Sequence, residues 1–234
     1  MKRVIKKVLR GTINAADRVL HLRQLMRDES CQQHPLQGDR AIEWSWIVAN
    51  LPPSPADVLD FGCVQSVLTG ISARLGHRVT AIDLRDIEYE MTGVVFRQGD
   101  LRHMDFGGKR FDAILNCSTV EHVGLCGRYG TIEEGRDGDL SAMAMLRGLL
   151  APGGRMLLTV PIGRDAVFSP FHRIYGPQRL PKLLDGFRME KEEYWAKTGG
   201  LWKCIERHEA LLVQGTEEFY ALGLFVLGIG GTPR

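Results

Sequence analysis

A chain of 234 residues with 44% apolar side chains and a net charge of +2 has material for one large core, or for a core plus an appendage, and its overall charge argues neither for nor against a polyanionic partner. Its five cysteines (Cys31, Cys63, Cys117, Cys126 and Cys204) are scattered, odd in number and free of any CxxC pair, which excludes a disulfide framework or a zinc site and points to a reducing compartment. No apolar run has the length of a membrane span, and the basic start MKRVIKKVLRGTINAADRVL lacks the continuous apolar stretch of a secretory signal, so a cytoplasmic location is expected.

Charge is unevenly spread. Residues 1–30 carry eight basic and three acidic side chains, a net +5, while the remainder carries 22 basic and 25 acidic, a net −3. Val4, Ile5, Val8, Leu9, Ile13, Ala16, Val19 and Leu20 follow helical spacing, weakened at Gly11. This predicts a basic amphipathic arm over residues 1–38, ahead of one domain over 39–234. The arm could lie on an anionic membrane surface or a neighbouring subunit; the plainer alternative is a helix packed on its own domain with its basic groups in water. Pro35 and Gly38 mark the loop that follows.

RAIEWSWIVANL, Arg40 to Leu51, reads as a helix ended by Pro52 and Pro53. Trp44 and Trp46, two apart, fall on different faces, so at most one is deeply buried by this helix; the other suits an apolar wall for a ligand. Val58–Asp60 forms a first strand, Phe61–Gly62 a turn, the residues up to Leu75 a helix, and Arg78–Ile82 a second strand ending in Asp83. Val94–Arg97, Phe111–Asn116 and Arg155–Val160 follow as strands. Leu140–Leu150 lies between the last two as a helix, with Asp139 available as its N-cap and Pro152–Gly153–Gly154 stopping it. Such alternation predicts a doubly wound, mainly parallel α/β sheet. Arg188–Trp195 and Tyr220–Ile229 read as two late strands, with Leu201–Leu212 between them carrying the only helix-length apolar pattern, and they suit an antiparallel hairpin at the sheet edge.

Two acids, Asp60 and Asp83, sit 23 residues apart at the ends of consecutive predicted strands. Ligands of open parallel sheets lie beyond the carboxyl ends of the strands, where an acid can accept hydrogen bonds from ribose hydroxyls, so a nucleoside-bearing cofactor is expected. After Gly62 the turn offers only Cys63, Val64, Gln65 and Ser66, which supports a pyrophosphate poorly, since close backbone approach to phosphate asks for further glycines. Val64, being β-branched, resists positive φ; it either keeps ordinary dihedrals or narrows the pocket.

The string VLDFGCVQS resembles motif I of the class I S-adenosylmethionine methyltransferases, with Asp60 and Gly62 matching and Val64 and Ser66 standing where further glycines are usual. The resemblance implies a seven-stranded Rossmann-like sheet and S-adenosylmethionine as cofactor. It places Cys63 and Ser66 in the turn, Asp83 and Leu84 at the ribose, Asp100 and Leu101 at the adenine, and Asn116–Thr119, including Ser118, beside the methionine portion. LLAPGGRMLLTVP matches the family's helix, turn and fifth strand. EWSW, STVEHVGLCGRYG, DGDLSAM and PFHRIYGPQRL together resemble a little-characterised bacterial subfamily associated with saccharide and surface-glycan pathways, which implies a small-molecule acceptor of that kind.

Methyl transfer to an alcohol needs a base, whereas a neutral amine does not. His122, just after the fourth strand, titrates near neutrality and is the first candidate, with Glu121 to orient or charge it; His172 is the second. Arg173 could hold an acceptor carboxylate or phosphate, alongside Tyr175, Arg128 and Tyr129; alternatively Arg173 and Tyr175 pin their loop from within. No acidic or His/Cys spacing suggests a metal. Two other readings compete: a methyltransferase-like scaffold whose altered turn has lost the cofactor, and a nucleic-acid methyltransferase using the basic arm. The latter lacks an Asn-Pro-Pro-aromatic string after the fourth strand and any basic excess in the body, so no nucleic-acid partner is expected.

Overall fold

The computed structural model describes residues 38–64, 66–87, 91–127 and 135–230, and the predicted basic arm lies outside them except for Gly38. The first described helix, α1 (Asp39–Ala49), leads to β1 (Asp57–Phe61), α2 (Leu68–Arg74), β2 (Arg78–Asp83), β3 (Val94–Gln98) and β4 (Phe111–Cys117). Then come α3 (Gly138–Leu149), β5 (Leu150–Ile162), the short strands β6 (Ala166–Phe168) and β7 (His172–Ile174), α4 (Leu180–Leu183), β8 (Phe187–Thr198), β9 (Leu201–Ile205), α5 (Arg207–Leu212) and β10 (Ala221–Ile229). The main sheet has the order β3-β2-β1-β4-β5-β10-β8-β9. β1 to β5 pair in parallel, and β10, β8 and β9 are antiparallel.

Strand residues alternate between two apolar layers, as a pleated strand buried on both faces requires. Val58, Val79, Ala113, Leu115 and Leu157 pack with Ile42, Trp46 and Ile47 of α1 and Leu68 of α2 on one face. Leu59, Ile82, Ile114, Met156 and Leu158 pack with Ala142, Met143 and Leu146 of α3 on the other. Trp46 is therefore core, while Trp44 is only half-buried.

Three details differ from the sequence reading. The sheet has eight strands: Leu201–Leu212, whose apolar spacing suits a helix, divides into β9 and the short α5. β5 starts at Leu150 rather than Arg155, because Phe111 pairs with Leu150 and Ala113 with Arg155, so Pro152–Gly154 forms a bulge inside the strand. Asp139 does not cap α3: it lies in the first turn, buried, with its carboxylate turned to Arg179 and Tyr175.

Strand order reverses direction between β1 and β4. A crevice opens there beyond the carboxyl ends of the parallel strands, which is where the loops after β1, β2, β3 and β4 converge.

Candidate functional site

The crevice is a pocket of about 1020 Å³, its open mouth included, lined from the β3 side to the β4 side by Asp100 and Leu101, Asp83 and Leu84, Gly62, Val64 and Ser66, and Ser118, Thr119 and His122. Arg40 and Trp44 of α1 and Arg85 and Arg102 complete much of its wall.

The floor is the turn after β1. Gly62 has φ +77°, donates its N–H to the Ile82 carbonyl at 2.9 Å, and has no room for a side chain: a Cβ there would sit 2.3 Å from Thr119 Cγ2. Val64 keeps a negative φ; among the described residues the only non-glycine with positive φ is Ser118, at +45°. Asp60 does not reach the pocket. It is buried beneath the turn, where Thr69 Oγ1 of α2 donates to it at 2.5 Å, and burial pushes its carboxyl up to about 6. Cys63 is likewise buried and turned away, its thiol pushed well up by burial.

The two remaining acids face the pocket already braced. Asp83 accepts the Val64 N–H at 2.9 Å on one oxygen, and the Arg85 N–H (2.9 Å) and Nε (3.4 Å) on the other. Arg85 also reaches the Val64 carbonyl at 3.2 Å, so acid and arginine together strap the glycine-poor turn. Asp100 accepts from the Arg102 N–H and from its Nε and Nη2, the last at 2.6 Å. Burial opposes ionisation of Asp100, but these bonds outweigh it and hold its carboxyl below the usual range. A carboxylate offers about four lone-pair directions: Asp83, with three taken, keeps one for a ligand hydroxyl, while at Asp100 a ligand amine would share an oxygen with the Nε that bridges both.

At the β4 end, Ser118 donates its backbone N–H to the Thr159 carbonyl at 3.1 Å and its hydroxyl to Glu43. His122 follows in a single 3₁₀ turn, Val120–His122. Its Nδ1 meets the Phe171 carbonyl, which fixes Nδ1 as the protonated nitrogen and leaves Nε2 basic. Glu121 departs from the expected role of a charged partner. It is buried outside the pocket lining, burial pushes its carboxyl up to about 8, its Oε1 stands 3.7 Å from His122 Nε2, and its Oε2 has no hydrogen-bond partner among the described residues.

His172, Arg173 and Tyr175 are not in the pocket either. His172 is buried behind His122, ring to ring at 6.5 Å, and packs against Phe168 and Tyr220. Arg173 is fully buried. Its guanidinium donates to the carbonyls of Glu121, Val123, Gly135 and Arg136 and lies 3.8 Å from Asp139, so no face remains for an acceptor. The Tyr175 hydroxyl donates to Asp139 at 3.0 Å, again inside the core. These two residues pin the His122 turn and the start of α3 together. Arg128 and Tyr129 lie outside the described residues.

Sequence reading passed over Arg40, Glu43, Arg85 and Arg102. Its signal at EWSW was spent on the tryptophans, although a glutamate on the face of Ile42 and Trp46 is a buried acid in need of partners.

As a whole the pocket offers acceptors (Asp100, Asp83) at one end and a cation (Arg40) at the other, with an open glycine turn between them. That is complementary to an elongated molecule with an amine and hydroxyls at one end and a carboxylate at the other.

A family model described as "Caenorhabditis protein of unknown function, DUF268" matches residues 63–195, more than half of the chain. A curated relative, ubiquinone biosynthesis O-methyltransferase of Xanthomonas axonopodis pv. citri, is 27% identical over 173 residues; the match covers 67% of this chain and 64% of that protein, just under two thirds of its length. Two solved structures share the fold. Burkholderia thailandensis 1,6-didemethyltoxoflavin-N1-methyltransferase, crystallised with 1,6-didemethyltoxoflavin and S-adenosylhomocysteine, aligns with TM-score 0.53 at 20% identity over 94% of this chain and 89% of that one. The N-methyltransferase NodS of Bradyrhizobium japonicum, in complex with S-adenosylhomocysteine, aligns with TM-score 0.55 at 15% identity over 87% and 97%.

Proposed function

The chain belongs to the DUF268 family, and from that footing we propose that it is an S-adenosylmethionine-dependent methyltransferase acting on the hydroxyl of a small molecule. The observation that carries this is the convergence of Gly62, Asp83, Asp100 and Arg40 on one pocket that ends at a histidine with its tautomer fixed. The curated relative and the two fold neighbours, all methyltransferases by name, support it.

Asp100 and Leu101 would hold the adenine, Asp83 a ribose hydroxyl, and Arg40 the carboxylate of the methionine portion. Gly62 fits because nothing but hydrogen can occupy the space between its Cα and Thr119. The cofactor supplies a methyl group on a sulfonium centre, open to in-line displacement by a nucleophile. Holding the partners in line contributes roughly 7–11 kcal/mol in well-oriented systems. His122 removes the acceptor's hydroxyl proton at Nε2, while the Phe171 carbonyl stabilises the imidazolium through Nδ1–H. A base of this kind is worth about 10²–10⁴ in rate. Burial pushes the Glu121 carboxyl up to about 8, and its Oε1 lies 3.7 Å from His122 Nε2.

For the acceptor, a saccharide or glycan precursor is the class proposed, on the sequence resemblance and on Trp44, whose ring forms an apolar wall of the pocket against which a sugar face can stack. Titration calorimetry with S-adenosylhomocysteine tests the cofactor; saturable micromolar binding is expected, and no heat at millimolar ligand removes the assignment. Formation of S-adenosylhomocysteine with sugar nucleotides, but not with aryl alcohols, is expected; the opposite pattern withdraws the saccharide.

A further inference from the structure

Glu43 lies wholly inside the protein on α1, outside the pocket lining, yet its bonded partners bear on the pocket. One oxygen accepts Arg40 Nη1 at 2.8 Å. The other accepts the hydroxyls of Ser118 and of Thr159, the latter at 2.5 Å. Thr159 Oγ1 in turn accepts the Ser118 N–H at 3.1 Å, in the same stretch of backbone where Ser118 takes its left-handed conformation. One carboxylate thus joins the helix before β1, the end of β4 and the end of β5, and two of its three donors, Arg40 and Ser118, line the pocket. An apolar side chain would fasten a helix to a sheet at lower cost than a buried charge, so packing alone does not account for this group.

We propose that Glu43 is the positioning residue of the cofactor site. Its carboxylate fixes the Arg40 guanidinium over the β4 end of the pocket and holds Ser118 in the backbone geometry that opens the pocket there, so that recognition of the cofactor's amino-acid end depends on a residue the ligand never touches. This rests on the cofactor reading above. Arg40 Nη1 is bound to Glu43 and to Cys117 Sγ at 3.6 Å, which steers the other edge of its planar fork outward, the geometry suited to a carboxylate. In the absence of Glu43 the arginine, on a half-exposed stem, returns to water.

Two ligands separate positioning from general structural damage: S-adenosylhomocysteine, which carries the amino-acid end, and 5′-methylthioadenosine, which lacks it. In Glu43→Gln, affinity for S-adenosylhomocysteine should fall about 10- to 100-fold, as for a lost charge-assisted contact, with affinity for methylthioadenosine kept within about twofold. Arg40→Ala, on the helix surface, should give the same selective loss and keeps the test open if Glu43→Gln does not fold. Equal weakening of both ligands in a folded Glu43→Gln, or parent-like S-adenosylhomocysteine binding in either variant, overturns the inference. A parent protein that binds neither ligand overturns the cofactor reading instead, and the inference falls with it.

Discussion

Replacing Gly62 by alanine adds one methyl group at the point where the fold, the turn and the pocket meet. Two costs can be worked out. An L-residue held in the left-handed region costs roughly 1–2 kcal/mol, and Gly62 has φ +77°. The new Cβ would lie 2.3 Å from Thr119 Cγ2 and 2.4 Å from Oγ1, so Thr119 must rotate and give up its 3.1 Å bond to the Cys117 carbonyl; such overpacking costs about 1–3 kcal/mol. Together about 2–5 kcal/mol is charged either to the fold or to the bound state. For a chain of this size each kcal/mol lost from the fold lowers the melting temperature by roughly 2–4 °C, so scanning calorimetry and titration with S-adenosylhomocysteine must be read together. Adding Thr119→Ala removes Cγ2 and Oγ1 but leaves Thr119 Cβ at 2.9 Å, so it should return most of the overlap component, out of about 1–3 kcal/mol, and none of the backbone component. A Gly62→Ala protein with parent melting temperature and parent affinity refutes the reading of this turn.

Other residues make separate predictions. Arg173→Met should cost about 3–5 kcal/mol in urea unfolding, since it orphans buried carbonyls around the His122 turn and leaves Asp139 with less compensation; a parent-like midpoint with a raised acceptor KM would restore Arg173 as an acceptor ligand. Glu121, with a folded-state value raised to about 8 from an ordinary 4.5, binds its proton more tightly folded than unfolded, so its contribution is full below about pH 4.5 and is lost as pH rises through about 8. Glu121→Gln should therefore flatten the decline of stability with pH across that window, and parallel curves for parent and variant would contradict it. His122→Gln, assayed at saturating cofactor, should lower kcat by about 10²–10⁴ with cofactor affinity unchanged; equal turnover would remove His122 as the base.

The parallel half of the sheet was readable because each strand is a short branched-apolar run ending in an acid, an asparagine or a glycine turn. The edge hairpin was harder: Leu201, Ile205, Leu211 and Leu212 satisfy helical spacing, and what identifies β9 is the Gly199–Gly200 pair before it, with φ +60° and +83°, the signature of a two-residue hairpin turn. In the site, Asp83 was legible from its strand-end position, whereas Asp100 came only with the resemblance to the methyltransferase motifs. Glu121 and Tyr175 follow strands and His172 and Arg173 lie in the short β7 beyond the fifth strand, but whether such a residue points into the crevice or into the core depends on distant partners. For Arg173 those partners are Asp139 and the carbonyls of the segment preceding α3, and no local spacing encodes them.

Val64 shows how a departure from a motif can be absorbed. Glycines in a nucleotide turn serve either positive φ or close approach of the backbone to the ligand. Among the described residues of the turn the first is needed only at Gly62, because Val64 adopts a negative φ that any residue tolerates. Where further glycines would leave the turn loose, Val64 is tied at both ends of its peptide unit: its N–H goes to Asp83 and its carbonyl to Arg85, which is itself held by Asp83. The acid expected to meet the ribose thus also braces the turn beneath it. Asp83→Asn should therefore damage more than one ligand contact, since the amide can present its oxygen to only one of the two sides. If the turn were a relic of a lost cofactor, Asp83→Asn would melt lower but bind S-adenosylhomocysteine no worse than the parent. In a working site both measurements fall together.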